Sequence, residues 1–191
     1  MDIKIIDSNG KADIYTPYNA EFVRAVKNCG AKWNKANSCW TVEAGHIDTV
    51  REIMRRIWGR DDQDRGTCVT VQLTFARPAI GECEPVTCYG RTVARAFGRD
   101  SGAVAGDGVA FVIGAPESGG SVKNWKTVVP EGCIIRMTDV PLEMFTRGDL
   151  PEGVIAELID GEDTKLAALR EEREKLMARL AKINEILGIT E

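Results

Sequence analysis

The chain has 191 residues, of which 43% are hydrophobic and 28% charged, so it can bury a core in one or two small domains. Its net charge of −4 argues against indiscriminate nucleic-acid binding. The longest apolar run, Val109 to Ile113, is too short to cross a bilayer and no signal peptide is present, so we expect a cytoplasmic protein with no membrane contact.

The first residues predict a β-hairpin. Two β-prone runs, Ile3–Ile6 and Ala12–Tyr15, lie on either side of Asn9-Gly10. Asn-Gly between apolar runs is a strong signal for a two-residue hairpin turn.

A helix should follow this hairpin. Pro17 disfavours helical backbone at the residue before it, so the strand should end there. Asn19 can cap a helix whose apolar positions recur at helical spacing, and Gly30 suits the C-terminal stop.

Two short strands, Ala31–Trp33 and Ser38–Val42, are predicted around a polar turn. Lysines and aromatic rings are interleaved through this stretch. Rings offer faces on which nucleobases stack, and lysines offer charges for phosphates. The alternative is that both Trp residues are core and the lysines only solvate a helix.

A second helix is predicted from about His46 to Trp58, ending at Gly59. Its arginines form a basic patch that either contacts a ligand or is a solvated helix exterior. Together with the preceding stretch it completes the predicted nucleic-acid-binding set: Tyr18, Lys27, Lys32, Trp33, Lys35, Arg51 and Arg55. The charged residues 61–66 that follow predict a linker and a domain boundary.

Residues 67–160 predict a β-rich domain. Thr67 to Phe75 alternates polar and apolar residues, which is typical of a half-buried strand. Val109–Ile113 predicts a buried strand. Arg91–Phe97 fits a strand or a short helix, and either would place Arg91 and Arg95 on one face.

Residues 161–188 predict a long amphipathic helix. Its leucines follow a 3-4 repeat, which is typical of a coiled-coil seam. A homodimer is therefore expected, and the alternative is a helix docked on its own domain. The predicted dimerisation residues are Leu166, Leu169, Arg173, Leu176, Leu180, Ile183 and Leu187.

The motif Pro17-Tyr18-Asn19-x-x-Phe22, then Gly30-Ala31-Lys32-Trp33, then Trp40 resembles the HARP module of annealing helicases. The resemblance covers about the first 60 residues. It implies a small βαββα head that binds branched or single-stranded DNA. No helicase motor follows, so we expect no ATP-driven activity.

The whole chain also resembles small phage and mobile-element proteins of gut Clostridia, a group that includes some Cas9-directed anti-CRISPR proteins. This resemblance implies an inhibitor whose partner is DNA or a nucleoprotein such as a Cas effector complex. The expected fold class is α+β: a βαββα head at 1–60, a linker at 61–66, an antiparallel β-rich domain at 67–160 and a coiled-coil-like helix at 161–188.

The motifs that usually carry catalysis are missing from the sequence. It contains no GxxxxGK[ST], HExxH or GxSxG, and His46 is the single histidine. Cys83 and Cys88 are too far apart for a CxxC zinc pair. We therefore expect no enzyme, no catalytic residue, no metal and no cofactor. The alternative to nucleic-acid binding is a protein-interaction adaptor in which the head is only scaffold.

Overall fold

The structure, a computed structural model, describes residues 3–8, 10–64, 66–159 and 162–187. These residues form 14 strands in four antiparallel sheets, together with four α-helices. The chain is thus mostly β.

The N-terminal part, which we call the head, is a four-stranded sheet of order β1-β2-β4-β3 that shares one core with two helices. Its elements are β1 Lys4–Ser8, β2 Lys11–Tyr15, α1 Ala20–Asn28, β3 Lys32–Asn34, β4 Cys39–Glu43 and α2 Ile47–Trp58. A 3-10 turn at Ala44–His46 leads into α2.

The helix ends lie where the sequence predicts them. The Asn19 side chain accepts a hydrogen bond of 2.9 Å from the Phe22 amide, which caps α1. Gly59 has a φ of +67° and ends α2 in the left-handed conformation that glycine adopts without a Cβ penalty.

The following residues build three sheets around a second core. Their elements are β5 Cys68–Phe75, β6 Ala79–Glu82, β7 Val86–Cys88, β8 Arg91–Ala96, β9 Ala103–Ala105, β10 Val109–Ile113, β11 Glu117–Gly120, β12 Trp125–Val129, β13 Ile134–Pro141, α3 Leu142–Arg147 and β14 Val154–Leu158. The sheet orders are β10-β13-β5-β14, β11-β12-β6 and β7-β8-β9. Strand β5 alternates as predicted and buries Val69, Val71, Leu73 and Phe75 in this core.

The head packs directly on the β-rich part through the turn between β7 and β8. The carbonyl oxygen of Gly90 accepts two hydrogen bonds of 2.9 Å, one from Asn19 Nδ2 and one from Trp58 Nε1. Because Trp58 is fully buried and also contacts the Phe22 ring, this joint connects both cores.

The residues just after α2 are also packed between the two parts. Arg60 and Asp61 are each only 3% exposed. The Arg60 guanidinium donates to both carboxylate oxygens of Asp139, at 3.1 and 2.6 Å. This hydrogen bonding holds the pKa of Asp139 well below its usual range, although burial opposes the shift.

Asp139→Asn should therefore destabilise the protein near neutral pH by about 1–3 kcal/mol, which is less than a fully buried pair costs because the carboxylate is 40% exposed. Asp139 has a φ of +60°, a conformation that asparagine tolerates, so the substitution isolates the charge. A depressed folded-state pKa stabilises above the unfolded value of about 3.9 and loses that contribution as pH falls toward the folded value.

Thermal melts of the unsubstituted protein and of Asp139→Asn, from pH 7 down to pH 3, check this prediction. The gap between their melting temperatures should narrow below about pH 4. A gap that stays constant over this range would show that the Arg60–Asp139 ion pair does not contribute to stability.

The predicted fold class is wrong. An α+β chain with a single small β domain was expected, whereas the β-rich part divides into three sheets. The head is ββαββα, with the N-terminal hairpin that the sequence predicts and one strand more than the βαββα unit implied by the resemblance. Strand β10 was expected to be buried, but it is a sheet edge on which Val112 and Ile113 are more than half exposed.

Helix α4 is Glu162–Leu187, and no coiled coil is seen in the described residues. The predicted helix ends, residues 161 and 188, lie outside the described residues. The side chains of Leu166 and Leu187 also lie outside the described part of the chain. The other predicted dimerisation residues are exposed: Leu169, Arg173, Leu176, Leu180 and Ile183. A 3-4 repeat specifies a seam only when a second helix covers it.

Candidate nucleic-acid interface

A cleft of about 830 Å³ opens on the head between α1 and the β3–β4 hairpin. Its lining contains four aromatic rings and two lysines and no acidic residue. The lining residues are Thr16, Pro17, Tyr18, Phe22, Val23, Lys27, Gly30, Ala31, Lys32, Trp33 and Trp40. The cleft therefore combines apolar flat surfaces with positive charge.

The two Trp residues of the cleft have different roles in the packing. They are directly paired across β3 and β4, and their rings meet edge to face with centroids 5.2 Å apart. Trp40 is 9% exposed and belongs to the head core. Trp33 is 52% exposed, so much of its ring surface is open to a ligand.

The lysines of the cleft are available for an anion. Lys27 lies in the last turn of α1, with its ammonium 5.8 Å from the Trp40 ring centroid. Lys32 is exposed on β3. Neither lysine forms a salt bridge with any residue in the described ranges.

Tyr18, which is 45% exposed, connects the cleft to the β-rich part. The guanidinium carbon of Arg95 lies 4.7 Å from the Tyr18 ring centroid and 4.9 Å from that of Phe97. Phe97 is 65% exposed. Arg95 and Phe97 were not among the predicted site residues, and they extend the row of rings and cations beyond the head.

The prediction that Arg91 and Arg95 share a face is wrong. Val86 pairs with Ala94 and Thr87 with Thr92, so Val93 is an extra residue in β8 that breaks the alternation. Arg91 is 3% exposed and donates to backbone carbonyls, and its burial lowers its pKa. The alternation of the sequence alone gives no sign of this bulge.

Arg51 and Arg55 lie away from the cleft and have carboxylate partners. Arg51 Nε lies 2.9 Å from Asp62 Oδ1, and this hydrogen bond raises the pKa of Arg51. Arg55 pairs with Asp61. These acidic partners come from the segment predicted as a linker, so the sequence pattern could not reveal that the basic patch is neutralised.

Lys35 is exposed in the turn between β3 and β4 and does not line the cleft. The Asn34 side chain accepts hydrogen bonds from the Ala36 and Asn37 amides on either side of this turn's tip. The structure thus brings Tyr18, Lys27, Lys32 and Trp33 together, and leaves the other three predicted residues outside the cleft.

Within the described ranges, no group of three or more His, Cys, Asp or Glu side chains is placed to hold a metal ion. All six cysteines are free thiols. Cys83 is exposed while Cys88 is buried, and burial raises the pKa of Cys88 to about 12.

No helix in the described part of the chain is both long and apolar enough to span a membrane. Comparisons with family models, curated proteins and solved structures give no match.

Proposed function

We propose that the protein is a non-enzymatic, cytoplasmic binding protein for single-stranded or unpaired nucleic acid, and that the head cleft is its binding site. The observation that carries this proposal is the exposed Trp33 ring beside two lysines, in a cleft whose lining has no carboxylate. The charge that supports the proposal is local to the cleft, since Lys27 and Lys32 have no acidic neighbour in its lining, whereas Arg51, Arg55 and Arg60 are paired with Asp62, Asp61 and Asp139.

The chemistry of the cleft favours unpaired bases. A base on a single strand presents both faces and can stack on Trp33, whereas a base inside a duplex has its faces covered by its neighbours. Lys27 and Lys32 would contact the phosphates on either side of the stacked base. Such contacts position the strand without selecting a sequence.

Two phosphate contacts set the expected salt dependence. Each contact on a single strand contributes about −0.7 to the slope of log K against log salt, so the cleft lysines should give a slope near −1.4. Binding by the head should therefore be weak and should fall clearly between low and moderate salt.

Trp33→Ala should weaken binding to a single-stranded oligonucleotide by about 1–3 kcal/mol, because a stacked base loses its platform. Stability should fall by only about 1 kcal/mol, the order of the edge-to-face contact with Trp40. Ile80→Ala is the matched control, since Ile80 is equally exposed at 52% and lies on β6, away from the cleft.

The measurement is an anisotropy titration with single-stranded, duplex and forked DNA at two salt concentrations, with a thermal melt of each variant. Single-stranded and forked DNA should bind more tightly than duplex. If no DNA form binds at low salt, the proposal fails and the adaptor alternative replaces it. That alternative is supported by the exposed apolar side chains of β9 and β10, Val104, Val112 and Ile113.

A Cas-directed inhibitor is a narrower form of the same proposal, in which the ligand is a nucleoprotein such as a Cas effector complex. It rests on the resemblance described above and on the proposed binding of exposed strands in the cleft. A nuclease cleavage assay with and without the protein tests it. Homodimerisation stays a separate prediction.

A further inference from the structure

Arg95 differs from most arginines of the β-rich part in the groups that its guanidinium contacts. Arg77, Arg99 and Arg147 pair with carboxylates, and Arg91 donates to carbonyls. Arg95 makes no hydrogen bond or ion pair within the described ranges, and its buried Nε has no partner. A buried donor without a partner is costly, and a ligand that supplies an anion nearby recovers part of that cost.

The surroundings of Arg95 hold its guanidinium in place without neutralising it. Tyr18 and Phe97 contact the cation through their rings, at 4.7 and 4.9 Å from the ring centroids. Aromatic contacts of this kind stabilise a cation and leave its full charge available to an anion. The terminal nitrogens of the same group are not enclosed, since only Nε is buried without a partner.

A guanidinium is suited to phosphate because its planar fork can donate two parallel hydrogen bonds to one phosphate group. Phe97 beside it is 65% exposed, and Tyr18, which is 45% exposed, also lines the head cleft. The Tyr18 ring, the Arg95 cation and the Phe97 ring therefore extend the aromatic and basic surface of the cleft onto the β-rich part, at the end of β8.

We propose that Arg95, with Tyr18 and Phe97, forms a second subsite that binds a backbone phosphate and an adjacent base of the same single strand that occupies the head cleft. This inference rests on the proposed function, and it makes the binding site span both parts of the chain. An acidic protein segment is the competing occupant, and the test distinguishes the two.

The test compares Arg95→Gln with Arg136→Gln in anisotropy titrations of the full chain with labelled oligo(dT). Arg136 is exposed on β13, outside the cleft lining, and its substitution removes the same charge. Arg95→Gln should weaken binding about tenfold, as expected for a lost charge-assisted hydrogen bond, and reduce the salt slope by about 0.7. Arg136→Gln should stay within twofold of the unsubstituted protein.

Phe97→Ser is the second variant. It tests the subsite independently if Arg95→Gln has a lowered melting temperature. Since Phe97 is mostly exposed, this variant should fold normally, and it should lose at least about fivefold in affinity if a base stacks there. A poly-glutamate peptide should compete poorly in all cases.

Three results overturn the inference. If Trp33→Ala loses binding while Arg95→Gln and Phe97→Ser keep it, the second subsite does not exist and the head cleft acts alone. If poly-glutamate binds more tightly than oligo(dT) and depends on Arg95, the occupant is an acidic protein segment. If the unsubstituted protein binds no oligonucleotide, the proposed function itself has failed.

Discussion

Replacing Gly90 with alanine should lower the free energy of unfolding by about 2–5 kcal/mol, one of the two largest effects expected here. Gly90 has a φ of +69°, which costs an L-residue roughly 1–2 kcal/mol. A Cβ at this position would also lie 2.1 Å from the carbonyl oxygen of Ile57, and forced overlap typically costs about 1–3 kcal/mol more.

The overlap has a structural consequence beyond the turn itself. Ile57 is in α2, so relieving the contact requires the head to move away from the β-rich part. Such a movement would lengthen the hydrogen bonds that Asn19 and Trp58 donate to the Gly90 carbonyl oxygen. The joint between the two cores would therefore weaken as well.

Gly30→Ala is the matched control. Gly30 has a φ of +79° but no atom within 4 Å of its ideal Cβ position, so only the conformational cost of about 1–2 kcal/mol applies. Urea denaturation of both variants separates the conformational cost, which both share, from the cost of the overlap with Ile57, which only Gly90→Ala has. Equal losses would contradict the close packing of Gly90 on α2.

The second large effect is expected for Trp40→Ala, which should destabilise the head by about 3–5 kcal/mol. The Trp40 ring is 9% exposed and packs with Phe22 and Val26 in the head core. Its removal leaves a cavity below Trp33 and takes away the ring that Lys27 faces. DNA binding should therefore be lost together with stability.

Trp33→Ala provides the comparison, because it removes a ring of the same size that is half exposed. Circular dichroism melts should show a large loss for Trp40→Ala and a small one for Trp33→Ala. If the two variants melt at the same temperature, Trp40 is not the core residue of the pair.

Local signals in the sequence predict local structure well in this protein. The Asn19 cap and the Gly59 stop depend on the conformations of single residues, and both lie where they were predicted. The alternation of Cys68–Phe75 needs only the neighbouring residues to define a half-buried strand. The polar turn beside Trp33 agrees with the exposure of that ring, and the apolar surroundings of Trp40 in β4 agree with its burial.

Long-range pairing could not be predicted in this way. The three sheets of the β-rich part depend on which strands meet, and short strands such as β9 and β11 have little signal of their own. The extra residue Val93 in β8 changes the direction of Arg91 relative to Arg95, and it is visible only through the partner strand.

The same limit explains which site residues were missed or misassigned. Arg95 reaches Tyr18, 77 positions earlier in the chain, only because the head packs on the β7–β8 turn. Arg51 and Arg55 are neutralised by Asp62 and Asp61, which the sequence suggested were linker residues.

The most direct test of the head cleft as a nucleic-acid site is to follow the four indole N–H resonances while unlabelled oligo(dT) is added. Trp33 is exposed in the cleft, whereas the buried Trp58 donates its indole N–H to the Gly90 carbonyl oxygen and serves as an internal reference. We expect the Trp33 resonance to shift progressively and to saturate while that of Trp58 stays in place. A saturable interaction in which the Trp33 resonance does not move would contradict this expectation.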